Sequence, residues 1–343
     1  MTLARRVGAL LDKARRRAET VRSRILAGTE RPPRERWGLP TRKELSRGRR
    51  KRTADSLRLT RLSASWRTRV QLRRLKAESR GERESFRFAV LGDVEPGRFW
   101  VFRKLFNRAG AFERQVREIQ TLDVDFSIQL GDMVSRGIRA IYLRFFRELS
   151  RWKLTVPYLT VIGNHDRRFP HGRCDSELYR ASLGPTNYAF DRGPARFAAL
   201  DTSAGGLRAS QLDWLDRVLD TPLRKIVFMH MPPACLRQWT SWGGLQGIGG
   251  FARGGSEMTR LFSERRVDRV YVGHIHAFGV QDYLGVRYIL TGGGGSPLFP
   301  SGATDRFHHY LVAEVGPDGV SETVRLLSGG TLSIPKAKVL LSR

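Results

Sequence analysis

Three short apolar runs in this chain each stop at a polar cluster, and the segments between them carry helical periodicity. FRFAVLGD (86–93) reads as a buried strand that delivers Asp93 at its C-terminal end. DFSIQLGD (125–132) repeats the arrangement and delivers Asp132, and VPYLTVIGNHD (156–166) delivers Asn164 and His165. Helices are expected between them, over about 98–122 (Phe102, Leu105, Phe106, Phe112, Val116, Ile119) and 138–150. Strand–helix–strand–helix–strand is a β-α-β-α-β unit, whose parallel strands open their C-terminal ends onto one crevice. All three polar clusters therefore face the same place.

Later segments follow the same logic. KIVFMHMPP (225–233) is a strand ending at His230, with Pro232-Pro233 preventing its continuation. DRVYVGHIHAFG (268–279) is a strand ending in Gly273-His274-Ile275-His276. NYAFDRG (187–193) and RFAALDTS (196–203) read as paired strands, followed by a helix around 208–219. FGVQDY and VRYILTGG flank Leu284-Gly285 as a hairpin, and HHYLVAEVG and VSETVRLLS form a last one around Pro317-Asp318-Gly319.

Two divalent cations roughly 3.5–4 Å apart can hold a phosphoryl oxygen and lower the pKa of a bridging water. Such a pair needs a bridging carboxylate and several oxygen and nitrogen donors on short loops. Asp93, Asp132, Asn164, His230, His274 and His276 are that mixture, all at strand ends. Carboxylate and imidazole donors without thiolate suit Mn, Fe, Zn or Mg centres rather than a structural zinc. Taken singly, an Asp after Gly is a turn residue and a His on a strand end is an ordinary buried histidine. The ordered set is what carries the inference.

Gly92-Asp93, Gly131-Asp132, Gly163-Asn164-His165-Asp166, His230 and Gly273-His274-Ile275-His276, in this order, resemble the calcineurin-like metallophosphoesterase superfamily from residue 86 to about 300. GPTNYAFDRGPARFAALDTS (184–203) with QLDWL (211–215) is similar to its bacterial class-III cyclic-nucleotide-phosphodiesterase and acid-phosphatase branches. The resemblance implies a four-layer α/β/β/α sandwich of two mixed sheets. It implies a two-metal centre that hydrolyses a small phosphodiester or phosphomonoester through a metal-bridging hydroxide. Asp132 would bridge the metals, Asp93 and His276 would hold the first, and Asn164, His230 and His274 the second. Asn164 would also reach the phosphoryl oxygen. His165 would bind no metal and would stand by the leaving group as general acid or stabiliser of charge. Ser135 occupies the place of the tyrosinate iron ligand of purple acid phosphatases, which disfavours that branch.

One element departs from the pattern. The family's Asp-x-His reads Asp93-Val94-Glu95 here. Glu95 supplies a carboxylate of similar reach, a ligand that favours harder cations such as Mn²⁺ or Mg²⁺. The competing reading is a single-metal or non-catalytic binding module on a degenerate phosphoesterase fold. The full set of other ligands, together with the non-ligand His165, favours an active enzyme. His171, His308 and His309 have no motif context. Gly292–Gly295 lacks the Lys-Ser/Thr and helix of a phosphate-cradling loop and reads as a tight loop at the site rim, and 243–255 as a flexible loop over the crevice.

Charge divides the chain. Residues 1–84 hold 27 Lys+Arg and 9 Asp+Glu, a net of +18, and the other 259 residues hold a net of +11. This sets an Arg-rich arm, helical or partly disordered, over 1–84 and a phosphoesterase domain over 85–343. Val7, Leu11, Ala14, Ala18, Val21 and Ile25 form a narrow helical seam, and a second basic helical stretch runs over about 54–80 with Leu59, Leu62, Trp66 and Val70 near one face. A solvated arm is the first reading of such charge. Nonspecific contact with nucleic acid, which would make the protein a nuclease guided by its arm, and contact with an anionic membrane surface are the others. The start lacks the continuous apolar stretch of a secretory signal, while an Arg-rich start also fits an organelle transit peptide. Two cysteines, Cys174 and Cys235, are too few for a disulfide framework, and no apolar run nears the roughly 20 residues of a membrane span, so the cytoplasm is the simpler setting. Glu95→Ala is expected to lower both bound metal and phosphodiesterase rate. Elemental analysis of the purified variant beside wild type checks this, and equal values in both would remove Glu95 from the site.

Overall fold

The computed structural model describes residues 42–78, 85–94, 110–168, 175–240, 249–298 and 305–334, with side chains from Thr53 onward in the first stretch. The helical seam over 7–25, the first part (98–109) of the helix expected over about 98–122, Glu95, His171, Cys174 and positions 243–248 of the expected 243–255 loop lie outside the described residues.

Two helices come first, α1 (Arg42–Ser63) and, after a 3-10 turn over Ala64–Trp66, α2 (Thr68–Ala77). The β-α-β-α-β unit follows as β1 (Phe86–Leu91), α3 (Ala111–Ile119), β2 (Phe126–Gln129), α4 (Arg139–Trp152) and β3 (Tyr158–Thr160). Then come α5 (Glu177–Ser182), the pair β4 (Tyr188–Arg192) and β5 (Ala195–Leu200), α6 (Ala209–Leu219) and β6 (Arg224–Met229). Next are α7 (Arg237–Thr240), α8 (Gly255–Glu264), β7 (Arg269–Val272), β8 (Phe278–Tyr283) and β9 (Val286–Thr291). The described chain finishes with β10 (His309–Gly316), β11 (Gly319–Leu326) and the three-residue β12 (Thr331–Ser333), which its exposed Thr-Leu-Ser sequence did not announce.

The strands form two six-stranded mixed sheets, ordered β12-β11-β10-β1-β2-β3 and β4-β5-β6-β7-β9-β8. Strands β1, β2 and β3 are parallel neighbours, as are β5, β6, β7 and β9. The expected hairpins β4–β5, β8–β9 and β10–β11 are antiparallel pairs. Leu284 and Gly285 close β8–β9 with φ of 51° and 77°, the left-handed pair that a tight two-residue turn needs to match strand twist.

Alternation explains the four layers. Phe86, Phe88 and Val90 of β1 point into an inter-sheet core with Phe197 of β5 and Ile226 and Phe228 of β6. The intervening Ala89 and Leu91 pack outward with Ala111 and Ile119 of α3, while Val227 and Met229 pack outward with Leu215 of α6 and Phe262 of α8. Both faces of the central strands are covered by apolar side chains, so the sequence shows continuous apolar runs rather than alternation. Among the described residues, no helix is long and apolar enough to cross a membrane.

The larger compact unit begins at Arg52, ahead of the charge step near residue 84. Leu59, Trp66, Gln71 and Leu75 are buried, and Leu59 and Trp66 share an apolar cluster with Tyr142 and Phe146 of α4. The Gln71 side chain accepts from Tyr158 N–H at 2.8 Å and donates to the Ser65 carbonyl at 2.6 Å. The charge count registers the cations of this stretch and is blind to its buried apolar face. Trp66, edge-to-face with Tyr158 at 6.1 Å, is a large anchor whose loss leaves a cavity. Trp66→Ala is expected to lower unfolding free energy by about 3–5 kcal/mol, read by urea titration. A loss under about 1 kcal/mol would mean the helices do not contribute to the domain's stability.

Candidate metal centre

Each site residue stands where a strand runs out. Asp93 lies two residues past β1, Asp132 three past β2, Asn164 four past β3, His230 directly after β6, and His274 and His276 on the turn between β7 and β8. Parallel neighbours end at one rim of each sheet, and the two rims meet there. Asp132 and His274 hold left-handed backbones, φ 47° and 68°. Such conformations cost on the order of 1–3 kcal/mol each and persist only where surroundings enforce them. The glycines beside them are steric necessities. A Cβ on Gly131 would lie 2.7 Å from His230 Nδ1, and one on Gly163 would collide with the Asp132 carboxylate.

Six of the candidate donors lie close together. His230 Nε2 lies 2.8 Å from Asn164 Oδ1 and 3.4 Å from Asp132 Oδ2. His274 Nδ1 lies 2.9 Å from the same Asn164 oxygen and 3.3 Å from His230 Nε2. His276 Nε2 stands 3.7 Å from Asp93 Oδ1, and the His274 backbone N–H donates to Asp93 Oδ2 at 3.0 Å. Two groups of ligand atoms, each within 4.8 Å of one another, could hold a metal ion: Asp132, His230 and His274, and Asp93, Asp132 and His276. They share Asp132. His165 belongs to neither group. Its backbone N–H donates to Asp132 Oδ1 at 2.9 Å, and its Nδ1 is 3.2 Å from the Ser135 carbonyl.

Ring orientation shows that these residues fit cations. His230 Nδ1 donates to the Leu130 carbonyl at 2.8 Å and His276 Nδ1 to that of Pro297 at 2.8 Å. Each bond fixes the tautomer and turns the Nε2 lone pair inward, toward carboxylate and amide oxygens that are themselves acceptors. Lone pairs facing lone pairs require a proton or a cation between them. The site is buried, which favours neutral forms: burial pushes Asp93 up to about 8, and His276 down to about 4. Burial also opposes charge on His230, but the carboxylates of Asp132 and Asp93 outweigh it and lift the ring to about 10. Burial acts against ionised Asp132 too, yet His230 and His165 hold it well below the usual carboxylate range. A divalent ion answers the same lone pairs with more charge than a proton does.

Several supports lie outside the expected ligand set. Asp166, the last residue of the Gly-Asn-His-Asp run, accepts from Gly163 N–H at 2.7 Å, Met133 N–H at 3.0 Å and Val134 N–H at 3.2 Å. It thereby ties the Asn164 loop to the Asp132 loop. Arg167 donates to Asp201 Oδ2 at 2.8 Å and Ser203 Oγ at 2.7 Å, and Thr202 Oγ1 accepts from Met231 N–H at 2.8 Å, so the end of β5 braces both the Asn164 and His230 loops. The glycine loop after β9 lies at the site rim, as expected: the Asp93 carbonyl accepts from Ser296 N–H at 3.2 Å, and the Pro297 carbonyl orients His276. His309 is buried away from the ligand set, 2.9 Å from Thr291 Oγ1. Asp166→Ala is expected to weaken divalent-metal binding about 10–100-fold, the usual loss for an outer ligand support. Isothermal titration of the chelator-stripped protein with Mn²⁺ or Zn²⁺ checks it, and unchanged affinity would reduce Asp166 to an ordinary loop residue.

The comparisons agree with this geometry. The calcineurin-like phosphoesterase family model matches residues 86–278. The probable inactive purple acid phosphatase 24 of Arabidopsis thaliana is 23% identical over 218 residues, 52% of this chain and 35% of its own length. The nucleotide pyrophosphatase/phosphodiesterase of Hordeum vulgare is 24% identical over 264 residues, 64% of this chain and 71% of its own. Among solved structures, purple acid phosphatase PPD1 from yellow lupin (Lupinus luteus) seeds has a TM-score of 0.57 at 17% identity, covering 73% of this chain and 53% of that one. GAP50, the anchor in the inner membrane complex of Plasmodium, has a TM-score of 0.50 at 16% identity, covering 75% and 90%. This chain thus spans about a third of the Arabidopsis relative and about half of the lupin protein. At 17% identity the likeness to the lupin structure is one of fold. With the family model matched over more than half its length and the ligand groups gathered at the strand ends, the chain belongs to the calcineurin-like phosphoesterase family.

Proposed function

We propose that this protein hydrolyses small phosphodiesters, and secondarily phosphomonoesters, with two divalent cations held by its own carboxylates, imidazoles and Asn164. The observation that carries the reading is the sharing of Asp132 between two ligand groups, the arrangement a bridging carboxylate requires. In this reading Asp93 and His276 hold one ion, with Glu95 completing that side. Asn164, His230 and His274 hold the other. When bound, the ions polarise the phosphoryl oxygens and make water a nucleophile near neutral pH.

The protein's own groups do the rest. The backbone N–H of His165 and the ring of His230 orient the two oxygens of Asp132. The His165 ring is half-buried at the rim, and its Nδ1 bond to the Ser135 carbonyl leaves Nε2 to meet a leaving group. A protonated ring there donates to the departing oxygen. The buried ligand set excludes water and keeps the field of these groups strong. A phosphodiester is favoured because the barley relative, which matches along most of its length, carries that activity in its name. A Mn-type cation and a cytoplasmic setting complete the proposal; Cys235 carries a free thiol.

The test is hydrolysis of bis-p-nitrophenyl phosphate and p-nitrophenyl phosphate by chelator-treated protein given back Mn²⁺, Fe²⁺, Zn²⁺ or Mg²⁺. Chelation is expected to abolish turnover and one of these ions to restore it, with the diester turned over faster. Asp132→Asn should remove activity, and His165→Ala should lower kcat about 10²–10⁴-fold with metal content unchanged. Loss of bound metal in His165→Ala would make that residue a ligand, and no turnover with any ion would leave a binding module on this fold.

A further inference from the structure

The proposed hydrolysis leaves the cations of α1 and α2 unused. From Thr53 to Ala77 the chain carries seven Lys+Arg and one carboxylate, Asp55. Arg58, Arg61, Arg69, Arg73 and Lys76 are exposed, and no exposed carboxylate lies among these residues. Arg69, Arg73 and Lys76 follow i, i+4, i+7 spacing, which places them along one face of α2.

These cations stand on a fixed support. Thr68 N–H and Oγ1 both donate to the Leu183 carbonyl, at 2.7 and 3.0 Å, Arg67 donates to the Ala181 carbonyl at 3.0 Å, and Arg74 donates to the Thr155 carbonyl. Leu59 and Trp66 lie in the same buried cluster as Met133 and Val134, which follow Asp132. A disordered basic tail loses chain entropy when it binds; a docked helical face does not incur that cost. The same docking rules out the amphipathic membrane mode. An interfacial helix must sink its apolar face into lipid, and here Leu59, Trp66 and Leu75 are already buried in the protein, leaving Leu57 as the exposed large apolar side chain of the stretch.

We propose that the exposed face of α1 and α2 docks the phosphate backbone of nucleic acid without reading its sequence. The partner is a polyanion of closely spaced phosphates, because charge without insertion is all the surface offers. Duplex DNA carries one charge per about 1.7 Å of axis and releases counterions to such a face.

Fluorescence anisotropy of the full chain with labelled mixed-sequence duplex DNA and single-stranded RNA tests this across a salt series, in chelator, so that binding is read apart from turnover. Affinity should fall steeply with salt and be equal for unrelated sequences. Combined Arg58→Gln, Arg61→Gln, Arg69→Gln, Arg73→Gln and Lys76→Gln should weaken binding at least about tenfold at 0.1 M salt and flatten the salt slope by about three or more. Circular dichroism and an unchanged Tm confirm that the variant is folded. Combined Arg217→Gln, Arg260→Gln and Arg266→Gln, on α6, on α8 and just after α8, should change the slope by less than one. Unchanged affinity in the five-site variant would overturn the proposal, as would an equal loss per charge in the three-site control. Tighter retention on phosphatidylserine vesicles than on nucleic acid, lost in the same variant, would overturn it in favour of a membrane surface.

Discussion

Acceptor atoms crowded together out of water define this molecule. Carboxylate oxygens of Asp93 and Asp132, the Asn164 amide oxygen and inward ring nitrogens of His230, His274 and His276 share one crevice. Their mutual repulsion is relieved only by positive charge between them, so the fold must hold them against it. Two sheets ending at a common rim, left-handed backbones at Asp132 and His274, and glycines without room for a Cβ are the means. Burial sharpens the need, since a dry site magnifies both the repulsion and the attraction for a cation.

That constraint accounts for the wiring around the ligands. Loops from different sheets would otherwise fluctuate independently, and small displacements would separate the donors. Asp166 binds two of the loops through three backbone N–H groups. Arg167, Asp201 and Ser203 join the end of β5 in the second sheet to the Asn164 loop, Thr202 joins it to the His230 loop, and carbonyls of Leu130 and Pro297 set the tautomers of two rings. The supports are ordinary polar residues whose value comes from where they reach.

The basic helices before β1 illustrate how composition and packing diverge. Their charge resembles that of a solvated arm, yet an apolar stripe of Leu59, Trp66 and Leu75 holds them on the domain. Cation count and burial are carried by opposite faces of the same helix. The result is a charged surface with defined geometry beside a family-typical body.

What the linear sequence determined by itself was everything carried by local pattern. Apolar runs ending in Gly-Asp, Gly-Asn-His-Asp and Gly-His-Ile-His located β1, β2, β3 and β7 and named the six donors, because strand burial and chain termination of a strand are written in adjacent residues. Helices α4 and α6, the three hairpins and the rim position of the glycine loop were legible for the same reason. Tertiary structure alone decided which donors pair around the shared Asp132, that Asp166 and the β5 end brace them, and that 53–77 belongs with the domain. Those contacts join residues tens to more than a hundred positions apart, and their energy depends on distance and burial in space, which no local spacing encodes.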